Sequence, residues 1–230
     1  MPKNIEKYSA FFYIGNSYNI HSYRKFKLPP VYYMRNNGYK FNIVNSSNKS
    51  KSAFVFFASS GQVHKGLDLL LEIFSQKDFP CELFICSCVL SEKDFCRCYY
   101  KELFHTPNIH TIGFVDVGGE DFWNAVEKCS YVIMPSCSEG IAGSVLICMS
   151  AGIIPIVSKE CGLEDDEVIN LPDCSIDTIQ NHILEYSKKS DEWINEKSKR
   201  VKDIADSKYS KESFSRVFEQ SLLSVIRETK

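Results

Sequence analysis

Apolar residues in this chain come mostly in short runs rather than in alternation. Ala53–Ala58 (AFVFFA), Glu82–Ser87 (ELFICS), Asn108–Phe114 (NIHTIGF), Tyr131–Met134 (YVIM) and Ile153–Val157 (IIPIV) each read as a strand. Between them the period lengthens. KGLDLLLEIF sets Leu67, Leu70, Leu71 and Phe74 on one side of a helix, and Ser91–Phe104, Asp121–Lys128, Ser144–Ser150 and Ile176–Ser187 also suit helices. Asp191–Ile204 and Ser213–Arg227 predict two more at the end.

Strands apolar on both faces, interleaved with amphipathic helices, require a parallel sheet covered on both sides. Right-handed βαβ crossovers would connect it. The pattern therefore predicts an α/β fold, a doubly wound parallel sheet with C-terminal helices. Residues 1–50 do not share this rhythm. Their short aromatic runs are broken by Pro29–Pro30 and Asn36–Asn37–Gly38, and the polar tract NSSNKSKS, from Asn45 to Ser52, reads as a linker or exposed loop.

Composition narrows the classes of function. The chain carries 27 Lys or Arg against 29 Asp or Glu, a near balance that gives no broad argument for nucleic acid as a partner. No apolar run is long enough for a membrane-spanning helix, and the first residues lack the apolar core of a signal peptide. The ten cysteines sit largely in apolar or helical runs and read as reduced thiols, which places the chain in the cytoplasm. Cys86-x-Cys88 and Cys96-x-Cys98 lack the spacing of structural zinc, so no metal is expected. The GGED stretch at 118–121 reads as a helix-starting turn.

In doubly wound sheets ligands bind beyond the carboxyl ends of the strands. Two loops qualify. Ser59–Gly66 (SSGQVHKG) joins a strand to a helix; its glycines and Lys65 suit a phosphate, although the order is neither a Walker loop nor GxGxxG. Its plain alternative is a solvated lysine. The second, Ser136–Ser144 (SCSEGIAGS), sets one carboxylate, Glu139, between a strand and a glycine-marked turn. Glu139 could accept hydrogen bonds from sugar or ribose hydroxyls, or it could lie in a helix's first turn capped by Ser136 or Ser138. A Cys137–His64 nucleophile pair has no support in spacing.

HKGLDLLLEIF, NIHTIGFV and CSYVIMPSCSEGIAGSVLICMSAGIIPIVS together resemble, in order and spacing, the nucleotide-binding C-terminal half of the retaining "group 1" glycosyltransferases of GT-B fold. The likeness covers roughly residues 53–172. It implies a Rossmann-like donor domain over 51–230, with 1–50 a partial remnant of an N-terminal domain plus linker. It further implies transfer of a hexose, with retention, from a nucleotide diphosphate sugar to a glycan or lipid-linked acceptor in surface polysaccharide biosynthesis. No tightly bound cofactor is implied.

By this resemblance Lys65 holds the donor diphosphate and Gly61 shapes its loop, while Glu139 touches the hexose. Ser136 and the amides of Gly140, Ile141 and Ala142 line sugar and phosphate. Gly113, Phe114 and Val115 flank the nucleobase, and the start of helix Ser144–Ser150 offsets phosphate charge. Three departures stand out. The glutamate that follows eight residues later in the family, and holds the ribose, is Ile147 here. The family's arginine after its first strand is matched by Ser60. Finally, about fifty residues precede AFVFFA where the family has a whole domain. A chain supplying that domain is therefore an expected partner, and a donor-binding domain inactive alone is the alternative function. An epimerase or a flavodoxin-like module fits less well. Peripheral attachment to the inner membrane face would follow from a lipid-linked acceptor.

Overall fold

The computed structural model describes residues 4–41 and 49–228. Its first part holds a parallel pair of short strands, β1 (Phe11–Ile14) and β2 (Val31–Met34), separate from the main sheet. The main sheet follows the predicted rhythm. Its strands are β3 (Ser50–Phe57), β4 (Glu82–Cys86), β5 (Ile109–Thr111), β6 (Cys129–Met134), β7 (Ile154–Ser158) and β8 (Ile169–Leu171). They pair in parallel throughout, in the order β5-β4-β3-β6-β7-β8. Every residue of β6 and β7 is buried, as a sheet covered on both faces requires. At its centre Phe54 stacks on Tyr131 with ring centroids 5.1 Å apart.

The covering helices are α1 (Leu67–Phe74), α2 (Lys93–Cys98), α3 (Tyr100–His105), α4 (Glu120–Val126), α5 (Gly143–Ser150), α6 (Ile176–Tyr186), α7 (Asp191–Lys208) and α8 (Lys211–Glu228). The first of them buries the stripe read from sequence: Leu67, Leu70, Leu71 and Phe74 are all fully enclosed. Gly118 (φ +81°) and Gly119 make the turn that starts α4. α7 opens on Ser190, whose hydroxyl accepts from the Trp193 amide.

Several boundaries differ from the sequence reading. The tract taken as a linker runs into β3, which already begins at Ser50; residues 45–48 lie outside the described residues. The single helix expected over 91–104 is two, α2 and α3, parted at Tyr99, with Phe95 and Leu103 as their buried anchors. β5 ends at Thr111 because Gly113 takes φ +91°, which turns the chain out of the sheet. β8 was not expected; it is a three-residue edge strand, too short to show a period.

The last helix crosses to the first residues. Phe218 packs on Phe12 with centroids 5.8 Å apart, Tyr32 donates to Glu228 (3.0 Å), and Arg35 donates to Ser213 (3.3 Å). β1, β2 and α8 thus meet beside the carboxyl edge of the main sheet.

Candidate active site

From β3 the chain winds outward through β4 to β5, then returns to β6 on the other side of β3 and continues to β7. β3 and β6 are therefore neighbours whose connections leave in opposite directions. A crevice opens at such a switch point, outside the strands' carboxyl ends. Both loops singled out in the sequence leave from there: 58–66 from β3 and 135–142 from β6.

The loops are tied together. The Cys137 amide donates to the His64 carbonyl at 2.9 Å, and the Ser136 hydroxyl to the same carbonyl at 3.2 Å. Lys65 Nζ ion-pairs with Glu139 Oε1, both side chains being largely buried. Ser136 Oγ lies 3.4 Å from the same carboxylate oxygen. Gly66, at φ +77°, must be glycine twice over, since a Cβ there would also strike the Pro135 carbonyl.

Glu139 does not sit in a helix's first turn. α5 starts at Gly143 with Ala142 at its N-cap position, and neither Ser136 nor Ser138 caps it. The reason is a backbone contact with the loop after β7. The Glu139 amide donates to Glu160 O (2.9 Å) and the Ala142 amide to Cys161 O (3.0 Å), which keeps 139–142 out of the helix, with Gly140 and Ile141 in a bend and Ala142 extended. Ile141 and Ala142 are buried, and Ala142's amide is committed to this contact. Below it, burial pushes the Cys161 thiol up to about 12. His64 Nε2 faces the Ser138 carbonyl rather than the Cys137 thiol, so these two side chains form no nucleophile pair.

The phosphate-type loop has a partner that sequence reasoning missed. Glu92, just before α2, accepts from the amides of Gly61 (2.6 Å) and Gln62 (3.3 Å) and from the Gln62 side chain (3.2 Å). An internal carboxylate thus occupies amides expected to face a phosphate. Lys65 remains as the loop's positive group at the crevice.

A cleft of about 480 Å³ lies beneath the pair, lined by Lys65, Glu139, Phe114, Val115, Asp116 and Ile147, with Ser59, Tyr39 and the start of α5. Gly113 turns Phe114 into it, and Phe114 is 68% exposed. Ile147 is half-buried, packed against the core while lining the cleft. Tyr39 and Asp116 are further contributions the sequence did not announce: Tyr39 lies in a segment without a motif, and Asp116 falls one residue past the NIHTIGFV stretch.

Residues 4–41 reach the same place. One Asn19 amide nitrogen donates to three carbonyls, Glu139 O (2.8 Å), Gly140 O (3.0 Å) and Glu160 O (3.1 Å). Asn36 donates to Ile141 O at 3.0 Å. Gly140 has no room for a Cβ against the Ile14 carbonyl. Among the described residues, no group of three His, Cys, Asp or Glu is placed to hold a metal ion, and no helix is long and apolar enough to cross a membrane.

A doubly wound sheet with a Lys–Glu pair at its switch point defines a Rossmann-like domain of the sort that forms the C-terminal half of GT-B glycosyltransferases. The sequence profile of "Glycosyl transferases group 1" matches residues 40–208, and the chain belongs to that family. No curated protein matches it in sequence. Among solved structures, it superposes on a glycosyltransferase from Rickettsia africae ESF-5 with TM-score 0.75 at 11% identity, over 98% of this chain and 68% of that one. Anabaena HepE, in complex with UDP and glucose, gives 0.74 at 13% identity, over 96% and 64%. S. aureus TarM, in a complex that includes UDP, gives 0.71 at 16%, over 95% and 44%. Such identities speak for the fold alone. The chain spans less than half the length of TarM.

Proposed function

We propose that the chain binds a nucleotide diphosphate sugar and acts in transfer of its hexose to a glycan or lipid-linked acceptor, with retention, in surface polysaccharide biosynthesis. The observation that carries this is the pairing of Lys65 with Glu139 at the mouth of the switch-point crevice. One cationic and one anionic group stand side by side where a sugar diphosphate needs both.

In this reading Lys65 contacts the diphosphate, and Glu139 accepts hydrogen bonds from hexose hydroxyls. Gly113, Phe114 and the apolar face of Ile147 receive the nucleoside. Gly61 shapes the Lys65 loop, Ser136 steadies Glu139, and Gly140, Ile141 and Ala142 form the wall beside the sugar. During transfer the acceptor hydroxyl oxygen bonds to the anomeric carbon as the bond from that carbon to the diphosphate breaks; the electron pair leaves on the phosphate oxygen, which takes up the hydroxyl proton. Lys65 and the start of α5 stabilise that growing charge.

Residues 1–50 belong, on this reading, to the neighbouring acceptor domain and 51–230 to the donor domain. The lone parallel pair β1–β2 supports this, since parallel strands are normally covered on both faces. Ile14 and Tyr33 of that pair are nonetheless 44% and 45% exposed. A chain carrying further strands is the partner such a pair suits, and attachment to the inner membrane face would follow from a lipid-linked acceptor.

The test is calorimetric titration of the full chain with a panel of nucleoside diphosphates and their sugars, followed by a donor-hydrolysis assay with and without the products of adjacent genes. Binding of one donor in preference to its nucleoside monophosphate is expected. Absence of binding across the panel would overturn the proposal. Binding with turnover only alongside a partner would favour the alternative, a donor domain inactive by itself.

A further inference from the structure

Two peptide planes meet at the Cα of Glu139, and together they set the direction in which its side chain leaves. The amide on one side is held by Glu160 O at 2.9 Å, a contact between the loops after β6 and β7. The carbonyl on the other side is held from much farther along the chain, by the Asn19 side-chain nitrogen at 2.8 Å. Among the described residues Asn19 is the donor to this carbonyl. The same nitrogen reaches Gly140 O at 3.0 Å and Glu160 O at 3.1 Å. Carbonyl oxygens turned toward one point repel one another unless a donor sits between them. A side-chain amide brings two hydrogens to that point, which a hydroxyl or a carboxylate does not.

Asn19 is itself fixed. It is buried, and its main-chain amide donates to Asn16 Oδ1 at 3.1 Å. Asn16 in turn donates through its side chain to Leu163 O at 3.2 Å, and Asn36 does so to Ile141 O at 3.0 Å. Asparagines 16, 19 and 36 thus hold the carbonyls of 139, 140, 141, 160 and 163. A glycine lets the two loops come this close: a Cβ on Gly162, at φ +74°, would strike Gly140 O. A second cleft, about 820 Å³, is left between residues 13–24 and the loops of Glu139 and Glu160.

We propose that Asn19, supported by Asn16 and Asn36, is the positioning residue for Glu139, an inference that rests on the reading of Glu139 as the hexose contact. The clasp fixes the backbone from which the carboxylate reaches Lys65 and the sugar. Without it the carbonyl side of Glu139 is free to turn, and the pair with Lys65 opens. The segment before β3 then sets the geometry of the donor site without touching the donor.

A first test needs no ligand. The full chain is acetylated with an N-hydroxysuccinimide ester, and each lysine's rate is read by mass spectrometry. Lys65 is shielded by burial and by its pair with Glu139. Asn19→Ala should speed its labelling about tenfold, the effect of one lost hydrogen bond on local opening. Lys49, buried against Gly152 O at the opposite end of β3, should keep its rate. Glu139→Gln sets the ceiling for Lys65, and adding Asn19→Ala to it should change nothing more. An unchanged Lys65, a rise shared by Lys49, or a further rise in the double variant overturns the proposal. Should Asn19→Ala not fold, Asn36→Ala carries the same test, with a rise of about threefold expected.

Calorimetry with uridine diphosphate and uridine diphosphate glucose then separates the two readings. Asn19→Ala should weaken the sugar nucleotide several-fold and leave uridine diphosphate unchanged, with no added loss in the Glu139→Gln background. Faster Lys65 labelling with sugar-nucleotide affinity unchanged keeps the clasp and overturns the hexose role of Glu139. If neither ligand binds the parent chain, the reading of a uridine donor fails, and the labelling alone decides the role of Asn19.

Discussion

Lys65 and Glu139 make separable predictions. Lys65→Ala removes a charge-assisted contact and should weaken nucleoside diphosphate binding about tenfold in a titration. Glu139→Gln keeps the shape and the lysine, so affinity for the nucleoside diphosphate should hold while affinity for the whole sugar nucleotide falls several-fold. Equal losses for both ligands would show that the glutamate acts only by placing Lys65. Ile147 tests whether the pocket has been rebuilt around an apolar side chain. It shares its cleft with Phe114 and Val115 and with two carboxylates, Asp116 and Glu139. A third carboxylate from Ile147→Glu should weaken nucleoside diphosphate binding and lower Tm. Tighter binding at unchanged Tm would instead mark a ribose contact restored. Glu139 was legible because it is the one carboxylate between a strand end and a glycine-marked turn. Asn19 was not, because its partners are backbone carbonyls more than a hundred residues away.

Among the elements, the loop between β3 and α1 depends on a residue outside it. Glu92 holds the amides of Gly61 and Gln62, and through them the path of the chain to Lys65. Glu92→Gln keeps one acceptor oxygen but loses the charge and the two-amide clasp. It should cost about 1–2 kcal/mol in urea unfolding and also weaken diphosphate binding. Lost stability with unchanged binding would confine Glu92 to a structural role. Strand and helix kinds were readable from the runs around Phe54, Leu70 and Ile156, where burial imposes a period. The break at Tyr99 and edge strand β8 were not. Each rests on packing against neighbours rather than on local pattern.

For the whole molecule, pH reports on the buried thiols. Burial pushes Cys86 up to about 12 and raises Cys129 and Cys148 well above the usual thiol value of 9.0. Cys161 is also raised to about 12. A group whose pKa is raised on folding contributes stability below its unfolded value and loses it as pH climbs toward the folded value. Stability should therefore fall between pH 9 and 12, by about 1.4 kcal/mol for each such thiol at pH 10. Lys49 opposes this. Its Nζ is buried against Gly152 O at 2.9 Å, and burial lowers it to about 8, so its cost fades as pH rises from 8 toward 10.5. Four thiols outweigh one lysine. Urea unfolding under reducing conditions at pH 7, 8.5 and 10 checks the sign, and Cys86→Ala should shallow the decline.

By itself the sequence determined the kind of fold and singled out the two loops that meet at the crevice. Both are local matters: apolar runs set strand and helix period, and glycines with a lone charge mark strand ends. Which strands are neighbours was decided only in three dimensions. Placing β6 beside β3 brings Lys65 to Glu139 across 74 residues. Tertiary structure also laid residues 13–24 against the Glu139 loop, creating a second cleft from a segment with no motif of its own. Such contacts depend on chain crossings and on carbonyls facing a distant amide, and a carbonyl's direction leaves no trace in a residue's identity.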